Sequence, residues 1–245
     1  MEAHSPLSWA AHDFEPYVIQ KHLGDKVTII PLYIGSVGPD LFTKWYVYGV
    51  NVFGTRFGTD DPANFHRGWP GVGFTHTPFF ALLVGLACLA ITRNRVWALS
   101  LGIGWLAHAL TDTLDTNGTM LLFPFSIDRI SFGAWRYASA QGRFGDAIAY
   151  YGSLGLAADL VWGVLALLSF RVLQREYFQN VVYNNDPLWS KFSRLFNTQG
   201  LLIIYRLGFI YGAGRVLAWM IWVHVLHDKP LDLSWGGPYW VTPLH

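Results

Sequence analysis

Residues 74–114 read FTHTPFFALLVGLACLAITRNRVWALSLGIGWLAHALTDTL, two apolar runs divided by Arg93-Asn94-Arg95. A divider that short leaves room only for a helical hairpin. The two predicted helices, 74–92 and 96–114, approach the ~20 residues that cross a ~30 Å hydrocarbon core, and they are antiparallel neighbours. Near the end of the second run stand His108 and Asp112. Positions i and i+4 of a helix share one face about 6 Å apart, so the pair can grip one cation while the backbone bonds stay intact. Ionisable groups inside an apolar span are costly and mark function by default; the alternative is an interhelical hydrogen-bonded pair. The antiparallel hairpin also brings His76, at the start of the first helix, to the membrane level of His108 and Asp112.

Composition supports a membrane setting. Of 245 residues, 52% are hydrophobic, 17% aromatic and 13% charged, with a mean hydropathy of +0.28, whereas a soluble domain carries about 25% charge. The chain reads as an integral membrane protein. A net charge of +1 provides no basic field for nucleic acid. The single cysteine, Cys88, excludes an internal disulfide framework and reads as packing. The N-terminus lacks a basic stretch followed by an apolar one, so no cleavable signal peptide is expected. Its 12 tryptophans and 12 tyrosines read mainly as interfacial belts.

Three further apolar stretches bring the predicted bundle to about five spans: 146–173, 201–226, and 27–53. The last is interrupted by Gly35-Ser36-Val37-Gly38-Pro39-Asp40, a glycine and proline density that suggests a broken helix lining protein or a wet cavity. Residues 7–23 can form an amphipathic helix on the surface or dipping into the site. The expected fold is therefore all-α, a polytopic helical bundle forming one domain over 1–245.

Several side chains are candidates to join His76, His108 and Asp112. His66 lies ten residues before His76, in a loop rich in glycine that can fold back over the same pocket. Asp40 at the expected helix break offers another oxygen ligand, or caps the helix after Pro39. Asp159 is another acid inside an apolar run, a candidate ligand or a partner for Arg206 or Arg215. Several histidines with several carboxylates suit zinc, manganese or iron better than calcium, which prefers oxygen alone.

The element from His66-Arg67-Gly68 to Thr75-His76-Thr77, the element GWLAHALTDTLDTNGTMLLFP over 104–124, and Gly35 to Asp40 resemble, in order, three elements of the YdjM-like proteins. These are identified as predicted membrane-bound metal-dependent hydrolases, distantly similar to zinc-dependent phospholipases C. The resemblance covers about residues 10–170 and leaves 178–245 as an additional loop, last span and tail. His12 is similar in placement to the family's N-terminal histidine. Two departures are visible: Leu41-Phe42 replaces an acidic-histidine pair after Asp40, and about five residues interrupt the His66 to His76 element.

The resemblance implies two or three metals, most readily zinc. In that scheme Asp112, His76 and His108 ligate, and Asp40 and His12 complete a second metal. His66 is placed with the catalytic residues, and Asp115 is a base or an acceptor orienting a histidine. Arg67, Arg129, Arg136 and Arg143 are candidates for a phosphate clamp. The expected chemistry is hydrolysis of a phosphoester or lipid-like substrate. Two other readings stay open: a non-catalytic subunit of a larger membrane complex, contacting partners through 177–199 and 228–245, and a metal or proton transporter. Membrane lipids are the expected surroundings.

Overall fold

The computed structural model describes residues 9–135, 137 and 142–241. They form a mostly helical protein. Its helices are α1 (Ala11–Leu23), α2 (Ile29–Tyr48), α3 (Pro62–Arg67), α4 (Pro78–Thr92), α5 (Arg95–Thr111), α6 (Gly142–Tyr151), α7 (Leu154–Leu168), α8 (Arg175–Tyr177), α9 (Pro187–Phe192) and α10 (Thr198–Met220). Two short antiparallel pairs accompany them: β1 (Val50–Val52) with β2 (Thr55–Phe57), and β3 (Arg129–Ser131) with β4 (Tyr239–Val241).

The expected hairpin is present. Pro78 opens α4 in the first turn, where its missing N–H costs nothing, and Thr77 caps it by accepting from Phe80 N–H. Arg93 closes α4 in the left-handed conformation, and Asn94 caps α5 by accepting from Trp97 N–H. These signals trim the helices to 15 and 17 residues, because both site-proximal ends pass into 3₁₀ turns, Gly73–His76 and Asp112–Leu114.

Length and hydropathy therefore do not confirm the count of five spans. Among the described residues one continuous helix, Thr198–Leu226, is long and apolar enough to cross a membrane. A second crossing exists if Phe144–Tyr151 and Leu154–Leu168, bent by 75° at their junction, act as one span, and α4 is apolar but short. Hydropathy alone could not place the bend at Gly152-Ser153 within 146–173.

Residues 27–53 also differ from expectation. The helix is not broken: α2 runs through Pro39 for 20 residues. Its glycines serve packing instead. A Cβ on Gly35 would lie 2.4 Å from the Leu101 carbonyl oxygen, and one on Gly104 would lie 2.2 Å from that of Leu32. Only glycine lets the α2 and α5 backbones touch. Of the two placements open to it, the N-terminal helix takes the one that dips into the site. Ala11 through Tyr17 of α1 are all buried, and the helix packs on α2, α5, α7 and α10.

Polarity is distributed inside out. Leu82, Leu86, Ile91 and Leu99 of the hairpin, Val161 and Leu168 of α7, and Ile203, Ile210 and Leu217 of α10 are exposed, while His12, Glu15, His66, His76, His108 and Asp159 are fully buried. A soluble domain reverses this pattern; an apolar exterior suits lipid. Parts of the two segments expected to meet partners also contact the chain itself. Phe178, Val182 and Trp189 pack against Leu201 and Tyr205, and in the tail β4 pairs with β3 while the Trp235 indole donates to the Phe132 carbonyl.

Candidate metal centre

Five segments deliver side chains to one buried point. His12 comes from α1, Asp40 from α2, His66 from the C-terminal end of α3, His76 from the 3₁₀ turn ahead of α4, and His108 and Asp112 from the end of α5. The loop after Arg67 folds back tightly, since a Cβ on Gly73 would lie 2.2 Å from the Arg67 carbonyl oxygen. This fold-back absorbs the residues that interrupt the His66 to His76 element and sets the two rings edge to face, 4.6 Å between centroids.

Asp40, His76, His108 and Asp112 each offer a ligand atom within 4.8 Å of the others. His108 Nε2 is 2.9 Å from Asp112 Oδ2, and His76 Nε2 is 3.5 Å from Asp40 Oδ1. His66 Nε2 flanks this set 3.2 Å from Asp40 Oδ1, and His12 Nε2 flanks it on the other side, 3.5 Å from Asp112 Oδ1. All six side chains are at most 4% exposed.

The orientation of the imidazoles is the decisive feature. Each Nδ1 has an outer partner: Glu15 for His12, the Tyr137 hydroxyl for His66, Thr75 Oγ1 for His76 and the Ser36 carbonyl for His108. Each Nε2 points inward at the carboxylates of Asp40 and Asp112, and these nitrogens together with Asp40 Oδ1 and Asp112 Oδ2 meet in ion-pair contacts that lack hydrogen-bond geometry. Buried polar atoms are rarely left so, and ligating histidines characteristically hold their other nitrogen in such an outer bond. Two or more imidazoles with two carboxylates match the donors taken by zinc, manganese or iron. Burial pushes the His66 imidazole down to about 4, keeping it in the neutral form that a metal requires.

A second layer supports the first. Glu15, fully buried, accepts from Ser36 Oγ at 2.6 Å and Thr111 Oγ1 at 2.6 Å while facing His12. Arg67 reaches Asp112 Oδ2 at 2.7 Å and Asp115 Oδ2 at 3.5 Å. Lys44, one turn beyond Asp40, pairs with Asp40 Oδ2. Glu15 and Lys44 escape the sequence reading, although His12 with Glu15 at i+3 and Asp40 with Lys44 at i+4 carry the same helical spacing that marked His108 and Asp112.

Asp115 does not orient a histidine. Its Oδ1 accepts from the backbone of Asn117 and Gly118, and its Oδ2 faces Arg67; burial raises its carboxyl to about 7. Asp159 is not at the centre. Its oxygens accept from Ala11 N–H and the hydroxyls of Tyr150 and Tyr151, which anchors α1 to α7. Neither expected arginine forms its ion pair: Arg215 binds Asp13, and Arg206 donates to the Leu173 carbonyl.

Of the clamp candidates, Arg67 is engaged as described and Arg129 donates to Asn117. Arg136 and the side chain of Arg143 lie outside the described residues. Leu41 and Phe42 are exposed, so the departure after Asp40 falls on the outer face of α2, away from the centre.

The profile of the YdjM inner membrane protein family matches residues 15–181, which include every converging residue except His12. The chain belongs to this family. Inner membrane protein YbcI of Escherichia coli (strain K12) is 31% identical over 167 residues, 62% of this chain and 87% of the relative. No solved structure matches the chain. Membership makes it an inner membrane protein, in accord with its apolar exterior and the long helix Thr198–Leu226.

Proposed function

We propose that this YdjM family member is a membrane-bound metal-dependent hydrolase acting on a phosphoester or lipid-like substrate, with zinc the best fit and manganese or iron as alternatives. The observation that carries the reading is the convergence of four inward Nε2 atoms on the carboxylates of Asp40 and Asp112, all buried and with Asp40, His76, His108 and Asp112 offering ligand atoms within 4.8 Å of one another. His76, His108, Asp40 and Asp112 would hold the ion, with His66 and His12 at either flank. A divalent ion held there supplies Lewis acidity, activating water near neutral pH and offsetting charge on a substrate oxygen.

The chain's own residues supply the rest. The Ser36 carbonyl, 2.6 Å from Nδ1, holds His108 in place, and Arg67 orients Asp112 while offering a guanidinium to an anionic substrate. Asp115, raised to about 7 by burial, is tuned to exchange a proton near neutrality, and it stands next to Arg67.

Full burial of all six converging side chains supports a second reading, a closed structural metal centre within a membrane complex. Purified protein carrying zinc, assayed on phosphodiester and phospholipid substrates, separates the two. Hydrolysis lost in Asp115→Asn, with metal retained, supports the enzyme; retained metal without hydrolysis of either substrate class supports the structural centre. Wild-type protein that binds no zinc, manganese or iron refutes both.

A further inference from the structure

Helix α1 meets α10 along one closely packed face. Gly208 and Gly212 stand one turn apart on α10, and Asp13 and Tyr17 stand one turn apart on α1. A Cβ on Gly212 would lie 2.8 Å from the Asp13 Cβ, and one on Gly208 would lie 2.9 Å from the Tyr17 hydroxyl, so only glycine admits this approach. Polar contacts then pin the face. Asp13 Oδ2 pairs with the Arg215 guanidinium at 2.5 Å, and its Oδ1 accepts from the Tyr33 hydroxyl of α2. The Tyr17 hydroxyl donates to the Tyr205 carbonyl at 2.7 Å and accepts from Phe209 N–H at 3.1 Å. Asp13 is 1% exposed and the Arg215 side chain 12%, so the ion pair is shielded from water.

Consecutive residues of a helix project about 100° apart. With Asp13 fixed to α10, its neighbour His12 is aimed inward, its Nε2 3.5 Å from Asp112 Oδ1 and its ring 4.0 Å from that of His108. Asp159 and Ser36 hold the backbone of α1 at Ala11 and His12; the Asp13 and Tyr17 side chains fix how far the helix is turned. Building on the metal-centre reading, we infer that α10 is a positioning element of that centre, the Asp13–Arg215 pair setting the rotation of α1 that presents His12 to a bound ion. Both members of the pair lie outside residues 15–181, the stretch matched by the family profile. The segments flanking the matched core thus bind each other, and His12 rides on one of them.

The test is a coupling measurement. Full-length protein in detergent carries Asp13→Asn together with Arg215→Gln, which removes the ion pair without stranding a buried charge, and zinc affinity is read by competition with a chelator of known affinity. In the wild-type background affinity should fall by about 10–100-fold, the range for a lost outer partner. In a His12→Ala background the same two substitutions should change it by less than about twofold, because the ligand they position is already gone. A purely structural role lowers Tm in both backgrounds and moves zinc affinity in neither. Unchanged affinity in the folded variant, or an equal fall in both backgrounds, overturns the inference and leaves the metal centre standing. Absence of bound zinc in every form, wild type included, overturns the metal centre itself. Should the double variant fail to fold, Gly212→Ala, whose Cβ presses on Asp13, takes its place in the same cycle with the same outcomes.

Discussion

The imidazoles of His12 and His108 stack with ring centroids 4.0 Å apart, one from the first helix and one from the end of α5. They flank Asp112, His12 on its Oδ1 and His108 on its Oδ2. Glu15 holds His12 from behind, and the Ser36 carbonyl holds His108. The N-terminal helix therefore belongs to the centre, and its outer bonds should matter as much as its ligand.

Replacing Glu15 by Gln removes the charge that fixes His12 and leaves the ligand atoms in place. Zinc affinity should fall by about 10–100-fold, the usual effect of losing an outer partner. Competition titration against a chelator of known affinity measures it; unchanged affinity would show that Glu15 serves only the packing of α1.

Removing the metal should lower stability, because the inward nitrogens and carboxylate oxygens lose their partner. Ligand linkage gives about 4 kcal/mol at a free metal concentration a thousandfold above Kd. Thermal unfolding in detergent, with chelator and then with zinc restored, should show a reversible fall and recovery of Tm. A Tm indifferent to both treatments would speak against a metal binding the native state.

Asp159 provides the contrast. Asp159→Asn disturbs a buried carboxylate that receives three hydrogen bonds, and should cost about 1–3 kcal/mol while leaving zinc per chain unchanged. Loss of metal in a folded variant would place Asp159 in the centre after all.

The helix crossing can be tested by Gly104→Ala. Its Cβ would stand 2.2 Å from the Leu32 carbonyl oxygen, so α2 and α5 must separate. The expected cost is about 1–3 kcal/mol, read as a lower Tm, together with weakened zinc binding because Asp40 and His108 ride on those two helices. An unchanged Tm would mean that the crossing is looser than described.

The ligands were legible in the sequence because their spacing repeats a simple geometry. His108 with Asp112 follows from one helical turn, and His76 follows from the antiparallel hairpin. His66 follows from a loop that can fold back over His76, and Asp40 from its place beside Gly35 to Pro39, whereas His12 comes from the family resemblance, since no local period links it to the hairpin. The continuity of α2 was hidden, because Gly35, Gly38 and Pro39 look like a break until α5 is packed against them. The bend between α6 and α7 was hidden within one apolar stretch. Asp159 looked like a ligand because an acid in an apolar helix announces a partner without naming it; two tyrosines and a backbone amide turned out to be that partner. Glu15 escapes because its charge stands in a segment that already looks polar, and Lys44 because it lies beyond the glycine-rich interruption of a stretch read as a span.

The most direct measurement is the metal content of the purified protein beside that of a His108→Ala, Asp112→Ala double variant, taken by plasma mass spectrometry after the same chelator wash. The wild type should carry bound zinc, manganese or iron and the folded double variant should fall to background. Equal metal in both proteins would contradict the centre formed by His76, His108, Asp40 and Asp112.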